Sequence, residues 1–163
     1  MRNVRTTWVG LLAGIVALTG CDRGSHPGSV GIQAPTFVMS DGVQTVDMGK
    51  LRGKVVVLNL WATWCAPCVE ELPSLLTLQQ KLPNIAVVAV STDQDDTVYR
   101  KFLVKHNVDV LTVRDADQKV NQMYGTAMIP ETYIIDRQGV IRRKFIGAQN
   151  WTQADIVDYL NKL

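Results

Sequence analysis

Two cysteines, Cys65 and Cys68, stand in the run Trp61-Ala62-Thr63-Trp64-Cys65-Ala66-Pro67-Cys68. Directly before them lies the apolar run Val55-Val56-Val57-Leu58-Asn59-Leu60. A short strand that feeds a helix start puts the first cysteine at a helix N-terminus. There, free backbone N–H groups and the helix dipole favour a thiolate. A thiolate is the species that attacks disulfides, so the chemistry indicated is thiol–disulfide exchange. Cys68, one turn deeper, is placed to resolve a mixed disulfide formed at Cys65. A static disulfide or half of a zinc site would use the same spacing. A zinc site needs further ligands, and the only histidines are His26 and His106. No metal is expected, and no cofactor beyond the dithiol itself.

The elements that must hold this pair follow from pattern. Residues 54–60 read as a buried central strand. Residues 65–82 read as a helix, and Pro73 inside it predicts a kink. A second buried strand follows over 85–90, then an amphipathic helix over 95–106 with Val98, Phe102 and Leu103 on one face. Residues 110–113 make a short strand and 117–124 a short helix. Residues 132–135 and 140–146 form a hairpin across Asp136-Arg137-Gln138-Gly139. A terminal helix over 152–163 is predicted to start on Thr152 as N-cap, with Asp155 three residues on. At the front, 37–39 and 43–46 flank Ser40-Asp41-Gly42 and predict another hairpin. This alternation makes an α/β domain with a mixed sheet.

The chain of 163 residues is long enough for one domain with a real core. Its net charge is +2, but Arg2 and Arg5 lie in an N-terminal segment and the remainder is balanced, with no basic run. That excludes nucleic acid as an expected partner. Arg2 and Arg5 precede an apolar stretch over 8–19, shorter than the roughly 20 residues that span a bilayer. The stretch ends in Leu18-Thr19-Gly20-Cys21, which resembles the bacterial lipobox. A retained anchor helix and a plain cleavage site are the other readings. The resemblance implies a signal peptide over 1–20, a tri-acylated Cys21 and a domain outside the cytoplasm. Several acyl chains anchor stably where one does not. Asp22, after the cysteine, implies retention at the inner membrane. Residues 21–34, rich in Gly, Ser and Pro, read as a flexible tether reaching at most about 45 Å. The folded domain is expected over 35–163.

Four stretches together resemble the TlpA/ResA/CcmG (DsbE) group of membrane-tethered bacterial thiol–disulfide oxidoreductases. They are Ala34-Pro35-Thr36-Phe37, residues 58–73, residues 124–136 and an insert over 92–111 that simple thioredoxins lack. The resemblance implies a thioredoxin fold with an N-terminal β-hairpin and a central α/β insert. It implies that Trp64 covers the thiol surface and that Ala66 and Pro67 tune the dithiol. Ile129, Pro130 and Glu131 would meet the substrate, with Pro130 cis and a backbone edge left free for a bound polypeptide. A glutamate at the position of Glu71 lies near the thiols in the ResA-like pattern. Partly buried there, it would have a raised pKa and exchange a proton with Cys68. The plain alternative is a solvated helix residue, as assumed for Glu70. Asn59 replaces the buried aspartate of thioredoxin itself, which strengthens the case for Glu71. Trp61 reads as core and His106 as structural.

The implied activity is reduction of protein disulfides, with apocytochrome c as a plausible substrate, a membrane thiol donor of the CcdA/DsbD type, and a monomeric enzyme. A general extracytoplasmic reductase would look the same. A copper-binding assembly protein of the Sco group is the rival of another class. Those proteins carry Cys-x-x-x-Cys and a distal histidine, whereas here the spacing is two and the only folded-domain histidine is His106.

Overall fold

A computed structural model describes residues 29–163. The signal segment, Cys21 and most of the expected tether lie outside the described residues.

The central sheet has five strands in the order β5-β4-β3-β6-β7: β3 (Val56–Trp61), β4 (Ala86–Ser91), β5 (Leu111–Arg114), β6 (Glu131–Ile135) and β7 (Ile141–Ile146). β3, β4 and β5 run parallel, and β6 and β7 are antiparallel additions. β3 is buried at every position, as its β-branched run requires. Helices α1 (Ala66–Lys81), α2 (Asp96–Lys105) and α4 (Ala154–Asn161) pack on the face of Val57, Trp61 and Ile134. The short helix α3 (Lys119–Tyr124) covers the other face, with Val56, Leu58 and Tyr133. The expected thioredoxin-like α/β fold is present, with α2 built from the insert and β5 beginning where it ends.

The N-terminal hairpin pairs β1 (Val38–Ser40) with β2 (Thr45–Asp47). It also tends the exposed edge of the main sheet. Gln44 Oε1 accepts the Thr112 N–H of β5 at 3.1 Å, satisfying a donor that the edge strand leaves unpaired.

Three expectations need correction. Structure begins before residue 35: Gly31 and Ala34 donate to the carbonyls of Ile141 and Gly139, so part of the expected tether is an added strip beside β7. Thr152 is not a helix cap. Its N–H and hydroxyl both donate to Asn150 Oδ1, which holds it in a turn, and α4 starts at Ala154 behind Gln153. The active-site helix starts at Ala66, with Cys65 itself as the cap, and runs through Pro73 to Lys81.

Candidate active site

β3 ends at Trp61, and the chain reaches Cys65 through a three-residue loop. Asp93, buried just past the end of β4, fastens that loop. It accepts the Thr63 N–H at 3.0 Å, the Thr63 hydroxyl at 2.6 Å and the Ser91 hydroxyl at 2.6 Å. Thr92 N–H donates to Trp61 O at 3.0 Å, extending the ladder past the strand. Side chains therefore fix the nucleophile's approach where the sheet itself has stopped.

Cys65 and Cys68 are joined in a disulfide with Cα atoms 5.3 Å apart. Cys65 Sγ accepts the Cys68 N–H at 3.3 Å, the bond that an N-cap side chain ordinarily makes. It is the more exposed of the two, but only at 6 % against 2 %. Ala66 and Pro67 between them are exposed. Pro67, in the first turn, removes an N–H that would have no partner in the helix.

Glu71 lies one turn after Cys68 and is buried. Its Oε1 accepts from Asn59 Nδ2 at 2.8 Å, and its Oε2 accepts from Gln149 N–H at 2.9 Å and Trp151 Nε1 at 3.2 Å. Asn59 Nδ2 also donates to Thr132 Oγ1 at 2.8 Å. No cation joins this set. Burial raises the Glu71 pKa above the ordinary 4.5, and the three donors offset only part of that. Glu70, its neighbour, is exposed.

The Ile129–Pro130 peptide is cis. Pro130 precedes Glu131, whose register partner is Leu60, so it flanks the loop that carries the thiols. A groove of about 320 Å³ opens beside it, walled by Trp64, Met128 and Ile129 and floored in part by Asn121. Trp64 and Met128 are 69 % and 66 % exposed, giving the groove an apolar rim. Asn121 Oδ1 is buried beneath the groove without a hydrogen-bond partner. Sequence reasoning missed Asn121, since nothing local marks an Asn on a short helix.

Glu131 departs from the expected rim position. Its side chain points to the sheet face away from α1 and is buried. Lys144 Nζ lies 2.8 Å from its Oε1, with both side chains 3 % exposed. Thr126 Oγ1 donates to the same oxygen at 2.7 Å, and Tyr133 OH donates to it as well. Thr126 also lines the groove, so Glu131 reaches the groove only through another side chain. Burial, followed by this carboxylate, pushes the Tyr133 phenol well up.

His106 caps the far end of α2, stacked on Phe102 with centroids 4.1 Å apart. Trp61 is core and packs on the same Phe102. The structure thus brings Cys65, Cys68, Trp64 and Pro130 to one end of the sheet and holds His106 behind Phe102.

A family model for redoxin matches residues 29–163. The chain is 30% identical to the thiol-disulfide oxidoreductase ResA of Bacillus anthracis over 159 residues, 94% of this chain and 91% of that one. It is 36% identical over 107 residues to the thiol:disulfide interchange protein DsbE of Pseudomonas fluorescens biotype C, covering 65% of this chain and 59% of that one. A Chlorobium tepidum protein assigned as a DsbE-type thiol:disulfide interchange protein superposes with a TM-score of 0.71 at 27% identity, covering 82% of this chain and 93% of that one. With a disulfide at the head of α1 and this likeness along its length, the chain belongs to the redoxin family, within the TlpA/ResA/CcmG group of thioredoxin-fold thiol–disulfide oxidoreductases.

Proposed function

We propose that the protein is a membrane-tethered reductase of protein disulfides outside the cytoplasm, with the Cys-x-x-Cys disulfide of apocytochrome c as its substrate. The observation that carries the direction is electrostatic. Among the described residues only the Cys68 N–H donates to Cys65 Sγ, and the first two turns of α1 hold Glu70 and Glu71 with no Lys, Arg or His. Cations and N–H donors stabilise thiolates and make a dithiol a poor electron donor. Nearby carboxylates do the reverse and favour a reductant.

The Cys65 thiolate attacks a substrate disulfide, forms the mixed disulfide and expels one substrate thiolate. Cys68 loses its proton to the Glu71 carboxylate, attacks Cys65 Sγ and expels the second substrate thiolate. The substrate gains two electrons, its two thiolates are protonated by the Cys68 proton held on Glu71 and by solvent, and the enzyme is left as the Cys65–Cys68 disulfide. A membrane thiol donor of the CcdA/DsbD type recharges it. The groove beside Pro130 takes the substrate chain, with Trp64 and Met128 against its apolar side chains. A lipid on Cys21, at the end of Leu18-Thr19-Gly20-Cys21, supplies the tether.

The test is the reduction potential of the Cys65–Cys68 couple. A value near the thioredoxin level, about −270 mV, supports the reductase; one near the strong-oxidant level, about −120 mV, overturns it. Cys68→Ala is expected to trap mixed disulfides and Cys65→Ala to abolish turnover. Trapping by Cys65→Ala alone would exchange the two roles.

A further inference from the structure

Charge is sorted along the sheet. The thiols stand where β3 ends. Around that end lie Glu70, Asp93, Asp95 and Asp115, and its cations Arg114 and Lys119 are paired with Asp96 and Asp117. The opposite end carries Arg52, Lys54, Lys81, Lys105, Arg137 and Lys162, none of them in an ion pair among the described residues, against Asp109 before β5 and Asp136, which is paired with Arg142.

Their common location follows from topology. Lys54 precedes β3, and Gly53 N–H donates to Arg137 O at 3.0 Å. The Arg52 guanidinium donates to Gln138 O and lies where a Cβ on Gly139 would sit. Lys81 and Lys105 end α1 and α2, both of which start at the thiol end. Lys162 follows α4, whose Tyr159 meets Arg143 opposite Ile134, low on the sheet. Lysines at helix C-termini are favoured by the helix dipole alone. Arg52 is held there by Gln138 O and Gln33 Oε1, whereas Lys54 and Arg137 have no such reason to gather.

The described chain enters beside this same end. Gly31 and Ala34 are bonded to Ile141 and Gly139, next to Arg137. From Cys21 to Ser29 the chain spans at most about 28 Å. We infer that this basic end is a docking surface for an anionic phospholipid bilayer, a reversible contact that turns the dithiol toward soluble substrates and that the tethered domain leaves when the membrane donor recharges it. The inference rests on the membrane tether proposed above. Clustered Lys and Arg next to an anchor are attracted to anionic headgroups over about a Debye length. The acidic thiol end is repelled by the same surface.

The test uses the full chain bound to vesicles of phosphatidylcholine alone, or of phosphatidylcholine mixed with phosphatidylglycerol. Each lysine's reaction with a small amine-specific reagent is read by mass spectrometry. On the anionic vesicles at low salt, Lys54, Lys81, Lys105 and Lys162 should label roughly fivefold more slowly, with recovery at high salt. Lys119 should be unchanged, and Arg52→Glu with Arg137→Glu should abolish the protection. Equal labelling on both vesicle types, or equal protection of Lys119, overturns the docking surface. Flotation with phosphatidylcholine vesicles reads the tether separately. If the chain does not float there, salt-sensitive flotation with phosphatidylglycerol vesicles still supports the surface, and its absence overturns it.

Discussion

Two buried glutamates, one a turn of α1 past Cys68 and the other next to Pro130, sit on opposite faces of the sheet and are treated differently. Glu71 is held by an amide, a backbone N–H and an indole, all neutral. Glu131 is held by an ammonium, with two hydroxyls added. A carboxylate met only by neutral donors keeps much of its desolvation cost, and its proton is correspondingly easier to hold. A carboxylate met by a cation has its charge answered in place. Glu71 is therefore suited to exchanging a proton with a thiol, and Glu131 to stiffening the wall behind Pro130. Burial alone does not make an acid functional; the charge of its partners decides.

The largest effect should come from breaking the ion pair. Lys144→Met strands Glu131 as a buried charge and should cost about 3–5 kcal/mol in urea unfolding. Adding Glu131→Gln should restore much of it; no restoration would mean that the pair is not the source of the loss. Next, Glu71→Ala leaves three buried donors short of an acceptor and should cost about 1–3 kcal/mol by the same measurement. Glu71→Gln sharpens the contrast. Removing the negative charge should make the dithiol more oxidising, by about 30 mV for each 1.4 kcal/mol of thiolate stabilisation. The same variant tests the titration. Because the Glu71 pKa is raised above 4.5 in the folded protein, the native state binds more protons than the unfolded chain. This group's contribution to stability therefore falls as pH rises from 4.5 through the folded value, and the fall should vanish in Glu71→Gln. A melting profile against pH with the slope unchanged would remove Glu71 as its source. Smallest of all, Glu70→Gln on the exposed face should move stability by less than about 0.5 kcal/mol.

Much of this site was legible before any coordinates. Strand, turn and helix around Cys65 and Cys68 follow from local pattern, and Glu71 from its place one turn on. The partners of these residues were not. Lys144 sits in Ile141-Arg142-Arg143-Lys144-Phe145-Ile146, where simple alternation puts Ile141 and Lys144 on opposite faces. The β6–β7 register shifts by one residue between Ile134 and Ile135, so both fall on the same face and the lysine turns inward. Asp93 looks like loop punctuation, and its role appears only when β4 lies beside β3. Gly31 to Ala34 have the composition of a linker, yet they are recruited by the carbonyls and amides of a turn more than a hundred residues away. Thr152 has a cap's identity but is captured first by Asn150. Each miss is a long-range contact, or a competing short one, overruling a local preference.

The clasp of Asp93 on Thr63 also divides the chain into parts with different freedoms. Residues 61–65 are held from one side by Asp93 and Thr92, at the root of the excursion that makes α2. Whatever happens farther out, the root stays where it is. The outer side of helix α2 and its flanking turns can thus change in evolution while Tyr99 and Phe102 keep their packing on Trp61. The same fold can acquire new partners through its insert while its electron chemistry stays constant.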